Sequence, residues 1–203
     1  GISLDQIVAF RIHGVTPAYM REMQAAGYTN LDPDKLVSLK IHGVSGEYVR
    51  EMRSNFPDAT LNDIQSFRIH GMTTEYARLM QSAGLGKLSA KELVAFKIHG
   101  VTPDYVRELR AAGLGELDAK DVTAFAVHGI DAEYIRSLRD AGVRLSSAKD
   151  VVALRVHGVT AKFVRTLRDA GYTNLSAKEI ARLASAGVNS DFIREMEQYR
   201  DKN

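Results

Sequence analysis

The sequence predicts an all-α solenoid of seven tandem two-helix repeats of about 29 residues, and three observations carry that expectation. The six histidines, His13, His42, His70, His99, His128 and His157, follow one another at spacings of 29, 28, 29, 29 and 29 residues, and each precedes a glycine. A seventh unit keeps the register with Ala186 and Gly187, so the 203 residues are accounted for by seven copies. Residues that start helices stand at two fixed distances from each histidine position. A period in this range signals stacked supersecondary units. The copies are read as 2–30, 31–58, 59–87, 88–116, 117–145, 146–174 and 175–203, forming a single helical-repeat domain over 1–203, of either hand.

The first helix of each copy is expected to begin ten residues before the histidine position, at Ser3, Asp32, Thr60, Ser89, Asp118, Ser147 and Ser176. Ser89 with Glu92 and Ser176 with Glu179 have capping-box spacing, in which two side chains satisfy amide donors reciprocally. In the fourth copy the apolar residues Leu93, Val94, Phe96 and Ile98 cover more than one stripe, as a helix packed between neighbours requires. The glycine after the histidine position ends the helix, because a left-handed residue costs glycine nothing.

The second helix is expected to begin three residues after the histidine position, at Thr16, Ser45, Thr73, Thr102, Asp131, Thr160 and Asn189. All are preferred N-cap residues. Pro17 and Pro103 follow at the first helical position, where a missing amide hydrogen does no harm. Val101 with Val106, Val15 with Met20 and Ile130 with Ile135 are spaced as hydrophobic staples. Gly27, Gly84, Gly113, Gly142 and Gly171 close this helix in five copies. Helices of about ten residues, ~15 Å long, are marginal alone and depend on stacking against the next copy. Arg182, Ala184, Ser185 and Ala186 soften the seventh copy, which reads as a C-terminal cap. Gly1 reads as an expression scar and Ile2 opens at a repeat boundary, so a fragment of a longer protein is expected.

Composition narrows the function classes. Twenty-seven Lys and Arg against 25 Asp and Glu leave a charge of +2, weak for a non-specific nucleic-acid binder. There is no cysteine, which excludes disulfides, thiol catalysis and thiolate metal sites while fitting a reducing or an oxidising compartment equally. No apolar run approaches the roughly 20 residues of a membrane span, and no signal-peptide core is present.

Recurrent residues supply the candidate sites. Equivalent histidines in stacked units should lie about 10 Å apart, too far to share a zinc ion without further ligands, so they read as caps on the first helix. No metal or cofactor is expected. The aromatic six residues after the histidine position (Tyr19, Tyr48, Tyr76, Tyr105, Tyr134, Phe163, Phe192) could stack bases or sugars. Its spacing from the Met or Leu four residues on favours inter-repeat packing, with the hydroxyl at a polar edge. Arginine stands eight residues after the histidine position in every copy: Arg21, Arg50, Arg78, Arg107, Arg136, Arg165 and Arg194. Such a ladder could bind phosphates or carboxylates, or be consumed by acids three residues earlier, such as Glu47, Glu75, Asp104, Glu133 and Asp191. Further bases stand two residues before the histidine position (Arg11, Lys40, Arg68, Lys97, Arg155) and eleven after it (Arg53, Arg110, Arg139, Arg168). A shared face would make them a basic ridge. Between the second and third copies one residue is missing, and Ser54, Asn55, Phe56 and Pro57 replace the usual turn. A kink that displays Phe56 is expected there.

The segments FRIHGVTPAYMREMQAAGY and FKIHGVTPDYVRELRAAGL resemble helical repeats in the C-terminal regions of bacterial membrane metallopeptidases of the beta-lactam-sensor type, over essentially the whole chain. That resemblance implies an accessory sensing or interaction region in a bacterial envelope protein, and an envelope or periplasmic location. It carries no activity across, since H-E-x-x-H is absent. A second, local resemblance is to the helix-hairpin-helix element, whose hairpin amides hold phosphate in DNA-binding proteins. Here Thr, Ser, Asp or Asn stands in place of the element's second glycine. No non-repeated catalytic constellation is apparent. The expectation is therefore a non-catalytic module binding a protein or peptide partner, of acidic character, along one face. Nucleic-acid binding is the alternative, and the sequence does not fix an oligomeric state.

Overall fold

The computed structural model describes residues 2–200, and among them it shows fourteen helices and no strand. In chain order these are α1 (Leu4–His13), α2 (Pro17–Ala25), α3 (Pro33–Ile41), α4 (Gly46–Asn55), α5 (Leu61–Ile69), α6 (Thr74–Gln81) and α7 (Ala90–Ile98). They continue with α8 (Pro103–Ala111), α9 (Ala119–Val127), α10 (Ala132–Asp140), α11 (Ala148–Val156), α12 (Ala161–Asp169), α13 (Ala177–Ser185) and α14 (Ser190–Arg200). Each copy contributes two, and the fold is an all-α helical-repeat solenoid.

The chain forms two compact units, one ending at Ile98 and the other beginning at His99. In the first unit α1 packs on α3 and α5 on α7, while α2, α4 and α6 stack in series. The second unit repeats the plan, with α9, α11 and α13 in one layer and α8, α10, α12 and α14 in the other.

Local chemistry sets where each helix starts and stops. Thr16, Ser45, Thr73, Thr102, Asp131 and Thr160 each accept a hydrogen bond from the amide three residues on. Asn189 does the same for Phe192. Reciprocal capping boxes form at Ser3 and Gln6, Thr60 and Asp63, Asp118 and Asp121, and Ser176 and Glu179. Ser89 and Glu92 make the same pair of bonds. Gly43 illustrates the hairpin: it adopts φ +67°, and the next amide, of Val44, donates back to the Leu39 carbonyl at 2.9 Å. That left-handed step turns the chain from one helix into the cap of the next.

The core is built from the same positions in successive copies. Met23, Met52, Met80, Leu109 and Leu138 are fully buried in the second-helix layers, and Phe67, Phe96 and Phe125 in the first-helix layers. Two expectations are corrected. Phe56 is not displayed: α4 ends at Asn55, and the Phe56 ring is buried, 5.4 Å from the Phe67 ring and tilted 58° to it. The shortened turn brings that ring into the core beside Phe67. Ile98 is half exposed rather than core. In the seventh copy Arg182, Ser185 and Ala186 are exposed, and so are Phe192 and Met196 of α14.

Gly46, the first residue of α4, lies against the preceding copy, where an added Cβ would sit 2.5 Å from the Glu22 carbonyl oxygen and 2.9 Å from its carbon. Helix propensity alone favours Gly46→Ala by about 0.5–1 kcal/mol. We expect the opposite sign, a loss of about 1–3 kcal/mol from overpacking against backbone, measured by urea denaturation.

Candidate protein-interaction surface

Three sets of cations run through the second and first helices, and the structure puts them to different uses. Of the bases two residues before the histidine position, Lys40, Arg68, Lys97 and Arg155 reach back to the preceding copy, while Arg11 in the first copy is exposed. Lys40 lies 4.6 Å over the Tyr19 ring, Arg68 5.1 Å over Tyr48, Lys97 4.6 Å over Tyr76 and Arg155 5.0 Å over Tyr134. Arg68 Nε also donates to the Gly43 carbonyl at 3.1 Å, and Arg155 Nε to that of His128 at 3.2 Å. These carbonyls end the preceding first helix, where a cation is favoured by the helix dipole.

The bases eleven residues after the histidine position behave alike. Arg139 donates to the Gly113 carbonyl, and Arg168 Nη1 to that of Ala141 at 2.8 Å. Arg53 lies 5.8 Å over the Tyr28 ring, and Arg110, in the same register, is exposed. Arg53, Arg139 and Arg168 thus serve the junction with the preceding copy, three residues along the helix from the ladder arginines Arg50, Arg136 and Arg165.

The ladder itself is different. Arg21, Arg50, Arg78, Arg107, Arg136, Arg165 and Arg194 are all exposed, on α2, α4 and α6 of the first unit and on α8, α10, α12 and α14 of the second. Arg107 pairs with Asp104, and Arg194 Nη1 lies 2.9 Å from Asp191 Oδ1. Arg21, Arg50, Arg78, Arg136 and Arg165 make no hydrogen bond or ion pair among the described residues. The acids at Glu47, Glu75 and Glu133, although correctly spaced, leave their arginines unpaired.

Tyrosines face the other way, towards the following copy. Tyr19 Oη donates to the Val44 carbonyl at 2.8 Å, Tyr48 Oη to Met72 at 3.0 Å and Tyr134 Oη to Val159 at 2.9 Å. Tyr105 makes the same bond to Ile130. These rings are inter-repeat struts, with a hydroxyl at a polar edge and an apolar body in the core. Burial pushes the phenols of Tyr19, Tyr48, Tyr76 and Tyr134 up to about 12 and that of Tyr105 higher still. Glu22 adds to the rise at Tyr19, while Arg68 opposes it at Tyr48.

The histidines stand at the ends of the first helices, with His42, His70, His128 and His157 as C-caps. None of the six imidazoles makes a hydrogen bond among the described residues, so the cap is formed by backbone rather than by ring donation. No metal-binding group of three or more His, Asp or Glu occurs among those residues. Beside the histidines lies a feature that sequence reasoning missed: Ile12, Ile41, Ile69, Ile98, Val127 and Val156 are at least 50% exposed. This position lies two residues, about 200° around the helix, from the buried Leu39, Phe67, Phe96 and Phe125. The angle, rather than the count of apolar residues, was the available signal.

Two further arrangements bear on chemistry. A recess of about 380 Å³ opens beside Phe56, Pro57, Leu88 and Lys91, but Asp63 caps Thr60 there and Asp58 pairs with Lys87 at 3.1 Å. At the hairpins, Glu22 Oε1 accepts from the amide of Gly46 at 2.9 Å, and Glu51 Oε1 from the hydroxyl of Thr74 at 2.7 Å. At α4 a carboxylate of the preceding copy therefore occupies the helix N-terminus at which a helix-hairpin-helix element would hold phosphate, and at α6 one stands beside it on the Thr74 hydroxyl. No protein-family model, no curated protein and no solved structure matches this chain.

The tyrosine struts predict an alkaline transition. Folding favours the neutral phenol, so their contribution is complete below the unfolded value near 10 and is lost as pH rises through about 12. Tyrosinate absorbance should rise together with loss of helical circular dichroism. Ionisation near pH ~10 with helices intact would show that the hydroxyls are not held in the junctions.

Proposed function

We propose that this chain is a non-catalytic interaction module that takes an acidic peptide or protein along the exposed arginine ladder. The observation that supports it is the unspent charge: in both units, arginines at one register are exposed, and five of the seven have no internal partner among the described residues. Lys40, Arg68, Lys97, Arg155, Arg53, Arg139 and Arg168 of the other two basic registers are engaged with neighbouring copies, so of the three registers the ladder keeps the most charge unspent. Guanidinium groups present a planar fork suited to carboxylates.

Spacing refines the partner. Packed helices lie about 8–10 Å apart, and an extended chain advances ~3.3 Å per residue. An extended acidic segment with a carboxylate at about every third residue would therefore meet successive rungs. This reading fits the accessory role implied by the resemblance to peptidase-associated repeats. Nucleic acid is disfavoured by the carboxylates of Glu22 and Glu51 at the hairpins.

The test is fluorescence anisotropy with a labelled glutamate-rich peptide and with a short DNA duplex, at low and physiological salt. Replacing Arg50 and Arg78, or Arg136 and Arg165, by alanine should weaken peptide binding roughly tenfold, about 1.4 kcal/mol. Replacing Lys120 and Lys149, exposed on first helices, removes the same charge and should leave binding unchanged. Equal losses in both sets would mean that net charge and not the ladder is read. Tighter binding of the duplex with a steep salt slope would replace this reading with phosphate recognition.

A further inference from the structure

We infer that the recess at the Tyr105 ring, between the fourth and fifth copies, is a binding site for a guanidinium group supplied by a partner. Internal repetition shows what the space is for. At four junctions the base two residues before the histidine position lies over the preceding tyrosine: Lys40 over Tyr19, Arg68 over Tyr48, Lys97 over Tyr76 and Arg155 over Tyr134. The fifth copy has Ala126 at that position, and among the described residues no cation stands over Tyr105. What remains is a recess of about 220 Å³, whose lining includes Gly100, Tyr105, Ala126 and Asp131, all in the unit that begins at His99. Lys40, Arg68 and Arg155 come within 3.6–3.7 Å of where a Cβ on Gly14, Gly43 or Gly129 would stand, and over Gly100 nothing comes within 4 Å. The base of the next copy, Arg155, is engaged over Tyr134 and on the His128 carbonyl and does not line the recess.

The groups that would hold a cation are in place. A ring face attracts a cation within about 6 Å of its centroid. Where Arg68 and Arg155 donate to the carbonyls of Gly43 and His128, the corresponding carbonyls of Gly100 and His99 accept no hydrogen bond among the described residues. The fifth copy also carries Asp131 as the cap of its second helix, where the other six have Thr, Ser or Asn. Asp131 Oδ1 accepts from the Tyr134 amide at 2.7 Å, and the carboxylate has no ion pair among the described residues. It stands near enough to the Tyr105 phenol to raise it further. The copy that lacks the internal cation is therefore the one that adds a negative charge beside the empty place. A planar guanidinium, with five donors, can lie on the ring while bonding to carbonyls and carboxylate together. The seventh copy lacks the base too, at Ala184, but the recess there is lined by Lys162, and its carboxylate, Asp191, pairs with Arg194. The inference goes beyond the arginine ladder, because here the partner brings the cation.

Heteronuclear NMR of the whole chain, titrated with N-acetylarginine methylamide, tests this, with the uncharged N-acetylcitrulline methylamide as a control of the same shape. Arginine should shift the amides of Gly100, Gly129 and Asp131 saturably, and citrulline should not. Ala126→Lys gives the fifth copy the residue found at Lys40 and Lys97, and should abolish those shifts by filling the place from within. Ala184→Lys adds the same charge at the seventh copy and should leave them unchanged. Asp131→Thr keeps a capping hydroxyl, as at Thr102 and Thr160, and should weaken binding several-fold. Circular dichroism checks that each variant is folded, and Asp131→Thr carries the comparison if Ala126→Lys is not. The peptide Gly-Ser-Arg-Ser-Gly distinguishes the sources: tighter binding than that of the capped amino acid identifies an arginine in a polypeptide, and equal binding a free guanidinium compound. Absence of shifts at these amides, equal shifts with citrulline, or a folded Ala126→Lys or Asp131→Thr variant that binds as the parent does would overturn the inference.

Discussion

A helix of nine or ten residues does not hold itself together in water, because nucleating it costs more than so few turns return. Thirteen of the fourteen helices are no longer than ten residues, and the last has eleven. Everything else follows from that shortness. Capping supplies the ends, where four amides and four carbonyls would otherwise be unmatched and make up a large share of each helix's backbone. Packing against the next copy supplies the rest, which explains why the core consists of a few positions repeated rather than one central cluster of varied residues.

The junction between copies is directional. Tyrosine reaches forward to a carbonyl of the next copy, while lysine or arginine reaches back over the tyrosine ring and onto the end of the preceding helix. A hydrogen bond in one direction and a cation over the ring in the other fix both register and spacing, since neither survives a slip of one residue. Net hydrogen-bond contributions are only about 0.5–1.5 kcal/mol each. Their value lies in selecting one stacking geometry from the several that apolar burial would tolerate.

Features governed by local chemistry were legible in the sequence. The N-caps at Thr16 to Asn189, the glycine after each histidine and the capping boxes depend on residues three or four apart, and the structure places them as read. The inter-repeat role of the tyrosines followed from their spacing to Met or Leu. Features that depend on direction in space were not legible. Phe56 turned inward because the shortened turn left its ring beside Phe67, 11 residues away in sequence, and no local pattern encodes that neighbour. Ile98 turned outward because its angle around the helix, and not its hydrophobicity, decides burial. The use of Arg139 and Arg168 on the carbonyls of Gly113 and Ala141 was not legible either, because those acceptors lie 26 and 27 residues away in sequence. The ladder at Arg50 and Arg136 could be named from the sequence, but its freedom could not, because acids at i−3 permit pairing without enforcing it.

Two rows remain after the architecture has used what it needs, and they do not end together. The exposed aliphatic position before the histidine runs from Ile12 to Val156 and gives way to Ser185 in the seventh copy, where the histidine is also replaced by Ala186. The arginine position runs through all seven copies to Arg194. Had both rows been incidental to helix packing, the same final copy would be expected to keep or lose them together. Its first helix, α13, sheds the aliphatic residue and the histidine, whereas its second helix, α14, keeps the arginine, the aromatic position and the methionine. The second-helix layer therefore retains the chemistry of a copy within the array up to the last helix, on its exposed edge as well as on its packing face.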